Sequence, residues 1–132
     1  MASRAGARTA YGYGSEVSLL GQFGWFTENS GRHVNPPREL RPSIRGLFDL
    51  HGNLFEWSHD WHGAYGIDVA TDPQGAEGGS VRMNRGGGWS YAAALCRSTG
   101  RDALDPASRA LTVGFRMALS PSGVSPEAAH DK

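Results

Sequence analysis

The sequence predicts a single domain made of short strands, few helical turns and long irregular loops. Nineteen of the 132 residues are glycine, about twice the usual share of roughly 7%, and many of them lie beside aromatic residues. Such glycines are typical of backbone that passes close to rings in irregular structure. The stretch at residues 46–61 concentrates large apolar side chains, yet no single helix or strand period fits all of it. We therefore expect this stretch to be the structural centre, and the helix content to be low.

Charge and cysteine content exclude several classes of protein. Lys and Arg total 13 and Asp and Glu total 13, so the formal net charge is zero and gives no electrostatic case for binding nucleic acid or an anionic membrane. The single cysteine, Cys96, excludes an intrachain disulfide and fits a reducing, cytoplasmic location. The start of the chain has no apolar run of the kind that a signal peptide or a membrane span needs. The length suits one domain with a modest core, and the oligomeric state stays open.

In chain order, the first half alternates short buried segments with turns. Residues 9–13 are predicted as a short strand, residues 15–31 as a buried segment that runs into a loop, and residues 32–45 as irregular surface chain with three prolines. Residues 47–51 alternate as a short strand would, and Gly52-Asn53 breaks that pattern as a turn. Residues 54–57 then resume as a buried segment that contains one carboxylate, Glu56.

The second half is predicted to contain the two clearest strands. Residues 62–80 are polar and form a long loop. Residues 81–90 form a strand that enters a glycine triplet, and residues 91–101 form a short helix. Residues 111–119 have the best strand propensity in the chain, and Arg116 within them is expected to be buried. Residues 120–132 are polar with two prolines and are expected to be a disordered tail.

Asp49, Asn53 and Glu56 make the central stretch the main candidate for an ion site. Glu56 lies between two aromatic residues, and a buried carboxylate must be paired or bound to a metal because a lone buried charge is costly. Calcium takes about six to eight oxygen ligands from carboxylates, amides and carbonyls in irregular chain, and this turn could supply several. The alternative is an Asx turn at Asn53 and a salt bridge from Glu56 to an arginine such as Arg116.

Three further patterns each have a chemical and a structural interpretation. Glu56, His59 and His62 would share one face of a helix and could hold a transition metal, although an exposed histidine pair is far commoner. Arg97 would lower the pKa of the adjacent Cys96 thiol, but without a second cysteine a small buried side chain is the better interpretation. The arginines of the last third could line an anionic groove or tie loops to carbonyls and acids; they are Arg85, Arg97, Arg101, Arg109 and Arg116.

A set of motifs in a fixed order is more specific than any one motif. The set consists of residues 46–57 (GLFDLHGNLFEW), the Asp60-Trp61 pair, residues 85–89 (RGGGW), residues 96–98 (CRS) and residues 113–116 (VGFR). Together they strongly resemble the formylglycine-generating enzymes, also called sulfatase-modifying factor domains, and residues 1–119 are assigned to this domain. The resemblance implies an α+β, C-type-lectin-like fold with little regular secondary structure. It also implies a calcium site whose ligands are the side chains of Asp49 and Glu56 and the carbonyls of Gly52 and Leu54.

This chain departs from the family pattern in two ways. Formylglycine generators carry two cysteines after the glycine-aromatic motif. These bind copper and activate oxygen, which oxidises a sulfatase cysteine, whereas residues 90–95 here contain no cysteine. Because soft Cu(I) needs two thiolates, we expect no copper site, no catalytic residue and no formylglycine oxidase activity of its own. Family domains are also about twice this long, so we expect the chain to be the C-terminal portion of one, truncated at its N-terminus.

Three functions fit these observations. The first is a family member that assists a modification enzyme or oxidises a protein or peptide substrate, which leaves open whether the chain is an enzyme. The second is a calcium-stabilised binding module whose loops, residues 62–80 and 90–110, present side chains to a peptide or glycan; these side chains are Tyr65, Trp89, Tyr91, Arg97 and Arg101. The third is a fragment of a longer family member with no function of its own.

Overall fold

The structure, a computed structural model, describes residues 8–64 and 75–118. Within these ranges the regular elements are two 3₁₀ helices and four strands, in the order η1 (Val17–Gln22), β1 (Phe55–Trp61), β2 (Arg82–Arg85), η2 (Ala93–Cys96), β3 (Asp102–Leu104) and β4 (Val113–Gly114). The remaining described chain is turns and irregular segments. No helix within these ranges has the length and apolar character that crossing a membrane requires.

The four strands form one mixed sheet in the order β3-β2-β1-β4. β1 pairs antiparallel with β2, where Glu56 lies opposite Arg85, and the register shifts further along β1. β2 pairs antiparallel with β3. β4 pairs in parallel with the first two residues of β1, so that Val113 lies opposite Phe55. The central position of β1 places the candidate ion-binding stretch, which leads directly into it, at the middle of the domain.

The core lies where the N-terminal segment meets η2 and the sheet. Its buried apolar side chains are Tyr11, Leu20, Phe26, Phe55, Met83 and Cys96. The glycine triplet after β2 lets the chain pass close to this core, because a Cβ on Gly87 would lie 2.5 Å from the sulfur of Cys96. Gly87 also has a φ of +83°, which side chains disfavour. The sequence interpretation of close backbone packing at the triplet is therefore confirmed.

Several predicted elements differ from those in the structure. Residues 9–13 form a turn closed by an isolated bridge between Tyr11 and Gly14, because the intervening glycine pattern favours a turn over a strand. The predicted helix at residues 91–101 shrinks to η2, because the backbone is already extended at Arg97, with a φ of −63° and a ψ of 153°. Residues 47–51 are irregular, because Asp49 has a φ of +54°, which no strand accommodates.

The C-terminal strand is the largest difference. Within residues 111–118 the strand is limited to Val113–Gly114, which pairs with Phe55 and Glu56 of β1. Leu111 and Thr112, just before it, form a turn. The expectation that Arg116 is buried is wrong, since its side chain is 38% exposed. Of the other predicted segments, the tail at residues 120–132, the end of the predicted strand at residue 119, and residues 65–74 of the long loop lie outside the described residues.

Candidate functional site

A cavity of about 340 Å³ lies beside the central stretch. All four calcium ligands that the resemblance implied, Asp49, Gly52, Leu54 and Glu56, line it. Its opposite side is formed by the residues that follow β4, including Arg116. Residues separated by more than 50 positions thus meet around one concave site.

The loop that walls the cavity is held by its backbone. Asp49, Gly52 and Asn53 all have positive φ, at +54°, +77° and +62°, so the chain curls tightly between residues 49 and 53. The Gly52 N–H donates to the carbonyl of Gly86 at 2.6 Å, and the Asn53 N–H donates to the carbonyl of Trp25 at 2.7 Å. These two bonds anchor the loop to segments far away in sequence. The predicted turn at Gly52-Asn53 is confirmed.

The side chain of Asn53 joins the loop to the proline-rich segment. Its Oδ1 accepts the backbone N–H of Asn35 at 3.0 Å, and its Nδ2 donates to the carbonyl of Asn35 at 3.0 Å. Both residues are buried, so this two-point pairing satisfies four polar groups that would otherwise be costly. The carboxamide of Asn53 is therefore engaged with Asn35, and the Asx turn weighed there is not formed.

Asp49 has one carboxylate oxygen satisfied and one unsatisfied. Oδ2 accepts the backbone N–H of Arg38 at 2.9 Å. Oδ1 is buried and has no hydrogen-bond partner among the described residues. A buried carboxylate oxygen without a donor is costly unless a cation or water binds it. This orphaned oxygen is the strongest sign that the cavity holds a further group.

Glu56 is paired with Arg116. Nε of Arg116 donates to both carboxylate oxygens at 2.9 Å, and its Nη2 lies 2.6 Å from Oε1. The same Nη2 donates to the carbonyls of Phe48 and Asp49 at 3.0 and 3.2 Å. The hydrogen bonds to Glu56 raise the pKa of Arg116 further, so the guanidinium stays charged. The salt bridge weighed as the alternative at Glu56 is formed.

The donor set fits calcium. Two carboxylates and two backbone carbonyls on an irregular loop are the hard oxygen ligands that calcium prefers, and the orphaned oxygen of Asp49 is available to it. Arg116 offsets the charge of Glu56, while Asp49 forms no salt bridge among the described residues. Glu56 would have to share its oxygens between the ion and the guanidinium.

Most of the side chains predicted to bind a ligand form contacts within the domain. The indole N–H of Trp89 donates to the carbonyl of Leu111 at 3.3 Å, and the ring of Tyr91 lies edge-on to Phe55 at 4.9 Å. Arg101 donates to the carbonyl of Gly63 at 2.8 Å. Arg97 is exposed. None of the four predicted residues lines the cavity, and their role in binding stays a prediction; Tyr65 lies outside the described residues.

The alternative metal site at Glu56, His59 and His62 is not formed. It required a helix, but Phe55–Trp61 is a strand, so the helical spacing that would align Glu56, His59 and His62 is absent. Among residues 8–64 and 75–118 no cluster of three or more acids, histidines or cysteines could hold a metal.

Cys96 and His51 form a buried pair that the sequence did not indicate. Nδ1 of His51 lies 2.8 Å from the carbonyl oxygen of Cys96, and the Gly12 N–H donates to Nε2 at 3.1 Å. Because Nε2 must accept, Nδ1 carries the proton and donates to Cys96. Burial lowers the pKa of His51 and raises the pKa of the Cys96 thiol to about 11. Nothing in the local pattern around His51 predicts partners 39 and 45 positions away.

Comparison with known proteins places these features in a family. The family model described as "Sulfatase-modifying factor enzyme 1-like domain" matches residues 1–121. A formylglycine-generating enzyme of Thermomonospora curvata is 30% identical over 92% of this chain and 46% of that enzyme. A protein named serine/threonine-protein kinase pkn1, from Chlamydia pneumoniae, is 31% identical over 89% of this chain and 19% of that kinase. The chain thus spans about half or less of the length of these relatives.

Solved structures establish the fold. The Treponema denticola variable protein 1 superposes with a TM-score of 0.81 at 28% identity, over 86% of this chain and 42% of that one. PvdO from Pseudomonas aeruginosa superposes with a TM-score of 0.71 at 22% identity, over 86% of this chain and 46% of that one, which is a likeness of fold alone. The α+β, C-type-lectin-like fold expected from the resemblance is confirmed.

Proposed function

The chain belongs to the sulfatase-modifying factor enzyme 1-like domain family, and from that premise we propose that it is a calcium-stabilised member without formylglycine oxidase activity of its own. Its irregular surface would bind a protein or peptide, and the ion would hold the central loop against β1. Calcium would supply positive charge and coordination to the loop oxygens. It takes no part in chemistry in this proposal.

The unsatisfied Oδ1 of Asp49 carries the calcium proposal. It is buried beside a cavity that the other three expected ligands, Gly52, Leu54 and Glu56, also line. Two of these four donors are backbone carbonyls, whose positions depend on the positive φ values of the loop. A cation there would compensate the buried charge of Asp49 and tie the loop to the strand.

The cysteine content supports the absence of oxidase activity. Copper of the soft Cu(I) state prefers two thiolates, and the chain has one cysteine. That cysteine, Cys96, is fully buried, and its thiol pKa of about 11 keeps it protonated at neutral pH. The relatives also carry names of different activities, a formylglycine-generating enzyme and a serine/threonine-protein kinase, so family membership does not imply one reaction.

A second candidate is favoured by Arg116. Its guanidinium binds the Glu56 carboxylate and two loop carbonyls at once, and these contacts are of the kind that a cation would make. In this alternative the arginine acts as a built-in cation, and the domain is stable without calcium. The protein would still be a non-oxidising binding module.

Thermal melts in calcium and in chelator distinguish the two candidates. If calcium binds, a concentration about 100-fold above Kd adds roughly 2.7 kcal/mol, which raises the melting temperature by roughly 8–10 °C for a domain of this size. Asp49→Asn should abolish this response, because asparagine keeps the positive φ and loses the charge. Glu28→Gln, which removes an exposed acid, should leave it unchanged. An equal melting temperature in calcium and chelator for the wild type would refute the ion site.

Oxygen consumption tests the missing activity. The purified chain, incubated with a copper salt and a cysteine-containing peptide, should consume no oxygen above the rate of a Cys96→Ala variant. Turnover that depends on Cys96 would contradict the proposal, whatever the outcome of the calcium melts.

A further inference from the structure

The cavity beside the central stretch is much larger than an ion needs. Its volume of about 340 Å³ lies in the range of roughly 300–1,000 Å³ that ligand pockets occupy, whereas one water molecule has a share of about 30 Å³ in the liquid. The cavity reaches the surface, because Arg38 and Phe115, which line it, are exposed. A bound calcium ion would therefore leave most of this volume to another group.

The charged side chains that line the cavity balance one another only while no ion is bound. Two of them are arginines, Arg38 and Arg116, and two are carboxylates, Asp49 and Glu56, so their formal charges cancel. Bound Ca²⁺ would leave the cavity with two uncompensated positive charges, and a concave site with an excess of one sign of charge attracts ligands of the opposite sign. The ion would thus make this cavity selective for an anion.

Arg38 offers such an anion a contact that the domain does not use. Its backbone N–H donates to Oδ2 of Asp49 at 2.9 Å, and its φ is +69°, an uncommon conformation for a residue with a side chain. Its guanidinium has no hydrogen bond or ion pair with any residue of the described ranges. A guanidinium presents paired N–H donors that match the two oxygens of a carboxylate. The backbone of Arg38 is therefore held at the cavity wall while its charge stays available to a ligand.

A bound calcium ion would also have coordination positions to fill. Calcium takes about six to eight oxygens, and of the four expected ligands Glu56 shares its carboxylate with Arg116. We propose that a carboxylate of an acidic peptide binds in this cavity, where it contacts the bound calcium and the guanidinium of Arg38. Phe115, which lines the cavity and is 78% exposed, would contact an apolar neighbour of the acidic residue. The proposal rests on the calcium site of the proposed function and names the ligand class of that site.

A pair of labelled peptides tests the proposal. The probe is a capped, fluorescein-labelled Leu-Asp-Asp-Leu peptide, and the matched probe is Leu-Asn-Asn-Leu with the same label. In a calcium concentration that saturates the melting response, fluorescence anisotropy should show that the wild-type chain binds the aspartate peptide about tenfold more tightly than the asparagine peptide, or better. Chelator should abolish this preference, because the lining charges then cancel.

Two arginine variants form a matched pair. Arg38→Gln removes the available guanidinium and should weaken binding of the aspartate peptide by about fivefold or more. Arg32→Gln is the control. Arg32 is exposed, has a φ of +66° and donates its N–H to the side chain of Ser30, but it does not line the cavity, so the variant should bind as the wild type does. Both variants should melt at the wild-type temperature and keep the calcium response, so that weaker binding reflects the lost contact.

The outcomes separate the ligand from the ion. A calcium response without a preference for the aspartate peptide, or wild-type affinity in Arg38→Gln, would overturn the proposal and leave the calcium site standing. The absence of any calcium response would refute the ion site and, with it, a carboxylate bound to the ion. Tighter binding of an oligogalacturonate, which carries its carboxylates on a glycan, would overturn the assignment to a peptide.

Discussion

Gly52 tests whether the wall of the cavity is as tightly packed as the structure indicates. A Cβ at this position would lie 2.0 Å from the carbonyl oxygen of Trp25, and 2.8 and 3.0 Å from its carbonyl carbon and amide nitrogen. All three are backbone atoms, and the same carbonyl accepts the N–H of Asn53. The obstruction therefore cannot be relieved by a rotamer change, and Gly52→Ala must displace the loop.

Gly46 is the matched control. It has a φ of +73°, close to the +77° of Gly52, and a Cβ on it would meet nothing within 4 Å. Alanine costs about 1–2 kcal/mol in this left-handed region at either position. At Gly52 the steric conflict adds about 1–3 kcal/mol or more. We therefore expect Gly46→Ala to lower the free energy of unfolding by about 1–2 kcal/mol and Gly52→Ala by about 2–5 kcal/mol.

Urea unfolding followed by tryptophan fluorescence measures the difference, because the chain contains four tryptophans. Gly52→Ala should also weaken any calcium response, since its carbonyl is one of the four expected ligands. If Gly46→Ala and Gly52→Ala lower the free energy of unfolding by the same amount, residue 52 does not lie as close to Trp25 as the structure indicates. The shape of the cavity wall described above would then also be wrong.

Three other predictions concern single groups. Burial lowers the pKa of His51 in the folded state, so as the pH falls the unfolded chain binds a proton before the folded chain does. The free energy of unfolding should therefore fall as the pH drops below about 6.5. The urea midpoints at pH 7.5 and pH 5.0 should differ less in His51→Gln than in the wild type. An unchanged slope would contradict the role of His51. In chelator, Arg116→Gln should lower the free energy of unfolding by about 1 kcal/mol, because the ion pair with Glu56 is partly exposed. If the variant is as stable as the wild type, Arg116 does not take the place of a bound cation. Cys96 should react slowly with iodoacetamide at pH 8 in the folded chain, because its thiol is buried and has a pKa of about 11. Mass spectrometry should show fast labelling only after urea unfolds the chain. Fast labelling in buffer would place the thiol at the surface.

The sequence predicted the features that depend on local chemistry. Glycine and asparagine tolerate positive φ, so the turn at Gly52-Asn53 could be located before the structure was known. The strand entering the glycine triplet follows from the alternation of residues 81–84. The four residues expected to supply calcium ligands, from Asp49 to Glu56, lie within eight positions of one another, so the motif that carried the family resemblance also named residues that line one cavity.

Only the tertiary structure decided how these local pieces are paired. Asn53 bonds to Asn35, which is 18 positions away, Arg116 to Glu56 across 60, and His51 to Cys96 across 45. Each polar group has many acceptable partners in the sequence, and the fold selects one by bringing it within hydrogen-bond distance. The same holds for residues 111–119, which strand propensity predicts as one strand. In the described part of this segment only Val113–Gly114 pairs with β1, and Leu111, Phe115 and Met117 are exposed, because propensity does not specify which residues find a partner strand.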